Sequence, residues 1–292
     1  MTRTAPGGGL ADALAGWSPA ARHSARVVDP WPASAFTALL DSTPPSLGAG
    51  DPLPPFWHWF TLLDHPATAE IGEDGHPVDG PFLPPIPGRR RMFAGGRLEL
   101  TGAIDIGVRL DCRESVADVT VKAGRSGEMA FVTVRRELAA DGEPVGVEEQ
   151  DIVYRSEPGD APRRELARPV DDGVELPGPW RRELATDPVL LSRFSALTYN
   201  GHRIHYDAPY ATGVEGYPDL VIHGPLLALL ALELPRLHAP AQTVRTASYR
   251  LVRPAFHPAT LVAAGGPTDT GADVAVAAAG TAPSLTASVR FR

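Results

Sequence analysis

The stretch Gly224–Leu237, GPLLALLALELPRL, constrains the fold more than any other part of the chain. Gly224 permits a turn, and Pro225 suits the first helical position, where a missing N–H is without consequence. Leucine then occupies positions 226, 227, 229, 230, 232 and 234. At 3.6 residues per turn these positions face almost every direction, so a helix here is apolar nearly all round and must be buried. The apolar run Pro225–Leu232 is far too short to span a bilayer, so the enclosure has to come from the rest of the chain. Pro235 is expected to limit the helix, because an interior proline removes a hydrogen bond. The chain has 292 residues, 43% of them hydrophobic, which suits one large domain or two moderate ones with a real core.

The enclosing material reads as strands. RLELTGAIDIGVRLDCRE, VADVTVKAGRS, EMAFVTVRREL and EEQDIVYRS, from Arg97 onward, alternate apolar and polar residues with the period of two of half-buried antiparallel strands. After the leucine helix, three strands complete the second unit: TVRTASYRLVRPA, one of TLVAAGGPTD or ADVAVAAAG, and SLTASVRFR. A helix is expected in DPWPASAFTALLDS (Asp29–Ser42) and another at Asp187–Ala196, while residues 1–28 hold a short helix or strand. TPPSLGAGDPLPP is loop, and residues 65–96, rich in Pro and Gly, read as a long excursion. FWHWFTLLDH is dense in aromatics and is read as buried packing ahead of a pocket wall.

Periodicity vanishes in EPGDAPRRELARPVDDGVELPGP (Glu157–Pro179). The division expected is a first domain over 1–160, a linker over 161–179 and a second domain over 180–292. Each half runs loop and helix, then curved antiparallel sheet. The fold class is therefore α+β, a double hot-dog: two curved antiparallel sheets, each wrapped round a central helix. A sandwich or barrel of strands alone leaves the leucine helix unexplained.

The formal charge of −8 and pI near 5.6 argue against nucleic acid as a partner, which calls for a basic stripe. The lone cysteine, Cys112, excludes an internal disulfide, and its inert, partly buried reading is preferred over a nucleophile. No long apolar segment follows the N-terminal MTRTAPGGGLADALAG, so no signal peptide and no membrane association are expected. A soluble cytoplasmic protein in a reducing compartment follows. No Walker loop, G-x-G-x-x-G turn or nucleophile elbow is found; in GRSGEMAF, Glu128 stands where the elbow needs glycine.

Chemistry concentrates in SALTYNGHRIHYDAPYA (Ser195–Ala211). Histidine titrates near neutrality and suits proton transfer, whereas asparagine hydrogen-bonds without ionising. His205 with Asn200 reads as a base beside an orienting group. His223–Gly224–Pro225 opens the leucine helix, whose free N–H groups stabilise developing negative oxygen, commonly by ~3 kcal/mol per donor. The combination fits proton chemistry beside a thioester carbonyl. The bland alternative, two solvated or hydrogen-bonded loop histidines, stays open. A metal site of His202, His205 and Asp207 is disfavoured because H-x-x-H-x-D is not a standard zinc spacing. The Arg89–Arg91 run is read as a solvated basic loop ahead of a phosphate contact.

FSALTYNGHRIHYDAPYA and EGYPDLVIHGPL resemble the MaoC-like hydratases and dehydratases. The branch most similar is the mesaconyl-C4-CoA (itaconyl-type) hydratases with the mitochondrial 3-hydroxyacyl-thioester dehydratases. RRMFAGGRLEL, VKAGRSGEMAFVTVRREL and EEQDIVYRS extend the resemblance to the first half, from about Arg26 onward. The wider family's motif, Gly-Asp-x-Asn-Pro-(aliphatic)-His, places its acid on Asn200 and its histidine on His205. His202 replaces the usual Asn and Arg203 the Pro. The resemblance implies reversible hydration of a 2-enoyl thioester, such as a short branched or dicarboxylic acyl-CoA like mesaconyl-CoA. His205 and Asn200 would be catalytic, and Gly224 and His223 would bind the thioester oxygen. His202, Tyr199, Arg89, Arg90 and Arg125 are candidate substrate contacts, with Arg91 and Arg109 as further choices for an anionic group. The Asn at 200 puts a two-acid mechanism in doubt. The first half, without an N-x-x-x-x-H constellation, is expected to lack a catalytic site and to shape a tunnel. No cofactor or metal is expected; the partner is an acyl-CoA or acyl-carrier-protein substrate, and pairing into a homodimer is open. Addition of an amine, thioester hydrolysis, and a non-catalytic acyl-thioester-binding subunit are the alternatives.

Overall fold

The computed structural model describes residues 9–80, 82–124, 127–156, 166–170 and 172–292. The first half holds α1 (Leu10–Ala13), β1 (Arg22–Val27), α2 (Pro30–Leu39), β2 (Arg89–Leu100), β3 (Arg109–Gly124), β4 (Gly127–Ala140) and β5 (Glu143–Ser156). The second holds β6 (Trp180–Ala185), α3 (Pro188–Leu197), α4 (Ala208–Gly213), α5 (Gly224–His238), β7 (Val244–Leu251), β8 (Thr260–Thr268), β9 (Gly271–Ala278) and β10 (Leu285–Phe291).

The leucine run becomes α5, and Leu226, Leu229, Leu230 and Leu234 have no exposure at all. The helix packs against β6, β8, β9, β10 and β2, so the sheet curls round it. Its one acid, Glu233, is equally buried. Arg236 at 2.6 Å and the Ser42 hydroxyl at 2.8 Å satisfy it, as a buried carboxylate requires. Pro235 does not end the helix, which continues to His238. Proline removes one hydrogen bond, and the surrounding core holds the last turn in place.

The strands form one continuous sheet in the order β1-β3-β4-β5-β2-β7-β10-β9-β8-β6. The two curved sheets are thus joined edge to edge through β2 and β7, which pair antiparallel from Gly95 opposite Arg250 to Glu99 opposite Thr246. Numbered within its own half, each set of strands has the order 1-3-4-5-2, and the two second strands meet at the join. The first strand of each half leads into a helix opened the same way. Asp29 accepts from Trp31 N at 2.7 Å and Asp187 from Leu190 N at 2.7 Å, with proline following each.

The halves differ where α5 lies. Among the described residues the first half has no counterpart of this helix; α2 instead packs on α3 and on the turn Trp57–Phe60, Phe36 meeting Trp57 edge-on at 5.2 Å. The reason is local. Pro66, Pro77, Pro84, Pro85 and Pro87, with Gly72, Gly75, Gly80 and Gly88, deny the segment before β2 any long helix.

Several boundaries shift from the sequence reading. The excursion ends at residue 88, because β2 begins at Arg89; an arginine triplet and the Gly95–Gly96 pair mask its alternation. Both TLVAAGGPTD and ADVAVAAAG form strands, and β6 adds one that so short a segment did not announce. The expected linker lies partly outside the described residues. Its described part is largely exposed but tethered at two points: Arg168 pairs with Asp219 at 2.8 Å and Leu176 is buried. Cys112 is buried and its thiol is pushed up to about 11 by that burial, against the pull of Arg136, which makes it a poor nucleophile. Among the described residues, no helix is long and apolar enough to cross a membrane.

Because α5 has no exposed flank, truncating it leaves a void on every side. Leu229→Ala is expected to lower the unfolding free energy by about 2–5 kcal/mol in urea titrations. Val189→Ala, at a site 65% exposed on α3, is expected to stay within about 0.5 kcal/mol of the parent.

Candidate active site

The chain between α3 and α4 builds the site through its own hydrogen bonds. Past α3, Tyr199 adopts φ 48° and the Asn200 N–H returns to Ser195 O at 2.8 Å. Asn200 Oδ1 accepts the His202 N–H at 3.0 Å, leaving the amide N–H donors for a ligand. A single tight turn, Arg203–His205, then presents His205. Asp207 is spent elsewhere: it caps α4 by accepting from Tyr210 N at 3.1 Å and pairs with Arg203 at 2.8 Å. It therefore does not join His202 and His205 in one ligand set.

His205 is 8% exposed, and its Nδ1–H donates to Val221 O at 2.7 Å. That bond selects the tautomer with an unprotonated Nε2. Burial lowers the ring's pKa to about 4, opposed by the Val221 bond, so the ring is neutral and able to accept a proton. Behind it lies His223, stacked at 3.7 Å and 18°, with Nε2 2.8 Å from the Ser195 hydroxyl. His223 is wholly buried and does not line the cavity. The expected contact with substrate is thus corrected to support: as N-cap of α5, its side chain turns into the core.

A cavity of about 1110 Å³ runs past these groups. From the second half Tyr199, Asn200, His202, His205 and Gly224 line it. Gly224 is the first residue of α5, and Pro225 after it has no N–H, so the Gly224 amide stands as a free donor at the helix's positive end. A Cβ there would lie 2.7 Å from Leu251 and 3.0 Å from Phe93, both lining the cavity, so the backbone is approachable only because the residue is glycine.

The first half supplies the opposite wall, with Phe93, Phe131 and Val153 beside a buried polar group. Glu148, with no exposure, accepts from Trp59 Nε1 and Gln150 Nε2 at 2.7 Å each and meets His58 at 2.8 Å. Burial pushes this carboxyl up, but His58, Arg136 and the hydrogen bonds outweigh it and hold it down to about 2. FWHWFTLLDH therefore serves both purposes weighed for it: Trp57 and Phe60 fill the core, while His58, Trp59 and Leu62 face the cavity.

A further first-half element reaches the site, one that the sequence reading missed. In the turn Asp74–Gly75–His76, Asp74 accepts the His76 N–H at 2.9 Å and lies 3.2 Å from His76 Nδ1. The turn is docked onto the histidine loop: Arg203 N donates to Asp74 O at 2.9 Å, and Arg203 Nη1 to Glu73 O at 3.0 Å. Gly75 has φ +88°, and a Cβ on it would fall 1.8 Å from Gly201 O. The His76 ring, in the cavity wall, lies 4.0 Å from that of His202. Burial opposes the Asp74 charge, yet the His76 hydrogen bonds hold the carboxyl down to about 2. Asp74, His76 and His202 place three ligand-type atoms within 4.8 Å of one another. His76 Nδ1 is engaged by Asp74, so these two residues form a hydrogen-bonded dyad. The signal in the sequence was EDGHP: an Asp-Gly turn followed by a histidine.

The arginine candidates separate. Arg89 donates to Pro84 O and Val78 O, Arg90 pairs with Glu215 and lies over Tyr217, and Arg109 pairs with Asp111 at 3.1 Å; none lines the cavity. Arg91 does. Arg125 lies outside the described residues.

A sheet curled round a buried helix, with a neutral histidine and the helix N-terminus sharing one cavity, is the architecture of the double hot-dog hydratases and dehydratases. The model of the hydroxyacyl-thioester dehydratase type 2 family matches residues 56–257, and the chain belongs to that family. Mesaconyl-C(4)-CoA hydratase of Chloroflexus aurantiacus is 45% identical over 229 residues, 77% of this chain and 79% of the relative. Among solved structures, a MaoC-like dehydratase of Phytophthora capsici superposes with a TM-score of 0.65 at 14% identity, over 96% of this chain and 98% of its own. A conserved hypothetical protein of Mycobacterium tuberculosis, described as having a double hotdog fold, gives 0.57 at 14% identity, over 94% and 96%.

The site also predicts an acid sensitivity. Burial lowers His202 to about 2, His205 to about 4 and His223 well below its ordinary 6.5. Below pH 6.5 the unfolded chain then binds more protons than the folded one, so stability falls as pH drops from about 6.5 toward 4. Urea midpoints measured at pH 7 and pH 5 should show this loss. Replacing His205 by Gln should shrink the difference, because one neutral buried imidazole is gone.

Proposed function

We propose that this chain adds water reversibly across the double bond of a 2-enoyl thioester, and in reverse dehydrates a 3-hydroxyacyl thioester. One observation carries the reading: the unprotonated Nε2 of His205 shares a cavity with the free amide at the start of α5. His205 takes a proton from water as its oxygen bonds to the β-carbon. The Asn200 amide donates to that water and orients it. The thioester oxygen, enolate-like in the transition state, accepts from the Gly224 N–H, where a preorganised donor is commonly worth ~3 kcal/mol. His223 and Ser195 fix the plane of the His205 ring.

The similarity to mesaconyl-C(4)-CoA hydratase and the placement of Arg91 in the cavity support a short acyl group bearing a second carboxylate. The first half shapes the tunnel that takes the acyl chain or the pantetheine arm. The thioester itself acidifies the α-proton, so the reading calls on no metal or redox cofactor. We further propose a cytoplasmic location, and pairing into a homodimer is compatible with the reading.

His205→Ala is expected to lower turnover at least ~10²-fold, the usual scale of a lost general base. The assay mixes purified protein with crotonyl-CoA and mesaconyl-CoA and weighs the products. A gain of one water supports the reading. Addition of an amine, release of free thiol, or full activity in the variant sinks it.

A further inference from the structure

Hydration needs a proton removed from water and a proton delivered to the α-carbon. His205 accounts for the first. In the motif of the wider family an acid stands beside the histidine, but here that position is Asn200, whose amide has no proton to give. The structure brings another histidine to the same cavity from the other half of the chain, with a carboxylate behind it. His76 lies in the cavity wall, its ring 4.0 Å from that of His202, which in turn meets His205 edge-on at 5.5 Å. Asp74 bonds both the His76 backbone N–H and Nδ1. A carboxylate on Nδ1 orients the ring, stabilises the imidazolium and leaves Nε2 to exchange a proton. The turn is held on the histidine loop by both Arg203 contacts and by the Gly75–Gly201 approach, so the spacing between His76 and His205 is fixed by backbone.

We propose that His76 is the second proton-transfer residue of this enzyme and that Asp74 is its positioning residue. The assignment rests on the hydratase reading with His205 as base. In hydration, a water O–H bond breaks, its proton goes to His205 Nε2, and the C–O bond forms at the β-carbon. The π pair moves toward the thioester as an enolate, and the His76 Nε2–H proton passes to the α-carbon. Solvent then takes the proton from His205 and returns one to His76, so water is the only reactant consumed. In dehydration His76 is the base that removes the α-proton.

The test uses the full chain and its His76→Ala, Asp74→Asn and His205→Ala variants on crotonyl-CoA. Deuterium uptake at the α-carbon of 3-hydroxybutyryl-CoA in D₂O is followed by NMR. His76→Ala is expected to lose at least ~10²-fold in kcat with KM nearly unchanged, to lose α-deuterium uptake, and to recover turnover when imidazole is added. The ring is 24% exposed at its side chain, which leaves room for that rescue. Asp74→Asn should lose ~10-fold in kcat, again with KM nearly unchanged. If His76→Ala keeps parental kcat and α-exchange while His205→Ala is dead, one imidazole carries both protons and the proposal is overturned. Should His76→Ala not fold, parental kcat and α-exchange in Asp74→Asn reject it equally. A parent protein inactive on every enoyl thioester overturns the hydratase reading instead, which separates the two failures.

Discussion

Everything in this molecule follows from enclosing one helix. α5 offers no face to water, so the strands of its half must curl round it, and the sheet is left with an edge strand, β7, that needs a partner. The first half supplies that partner as β2, built on the same strand order. An unpaired sheet edge is a liability in water, and the join removes it. The same enclosure leaves the N-terminus of α5 at the join, where the Gly224 amide faces a cavity instead of core.

The repeat is broken where it matters chemically. A second copy of α5 on the first half's sheet would occupy the space beside β2, β4 and β5. Proline and glycine prevent that helix, and the space becomes cavity lined by Phe93, Phe131, Gln150 and Val153. The segment that replaces the helix also folds back across the join and sets Asp74 and His76 against the histidine loop. The first half is thus more than a wall: the site between the halves is made from both.

The electrostatics of the site derive from burial. His202, His205 and His223 lie in one stack of contacts and stay neutral because each charge would be desolvated and would repel its neighbours. Keeping these imidazoles buried and neutral therefore comes at the expense of acid stability. The carboxylates persist because each is hydrogen-bonded to a neighbouring histidine: Glu148 in the cavity wall and Asp74 behind His76.

The period of the leucine run, the alternation of the strands and the Asn200–His205 loop were legible in the sequence because each is set within a few residues. A helix declares its face in two turns, and the turn that presents His205 is closed by its immediate neighbours. Strand β2 was misjudged because glycines and arginines carry no period, and Pro235 because packing outweighs one lost hydrogen bond. What sequence alone could not decide was everything that depends on closure. The choice of Arg91 over Arg89 and Arg90, the withdrawal of His223 into the core, and the arrival of His76 beside His202 all require the two halves to pair. Local chemistry names the groups able to move protons; only the pairing of β2 with β7 determines which of them share a cavity.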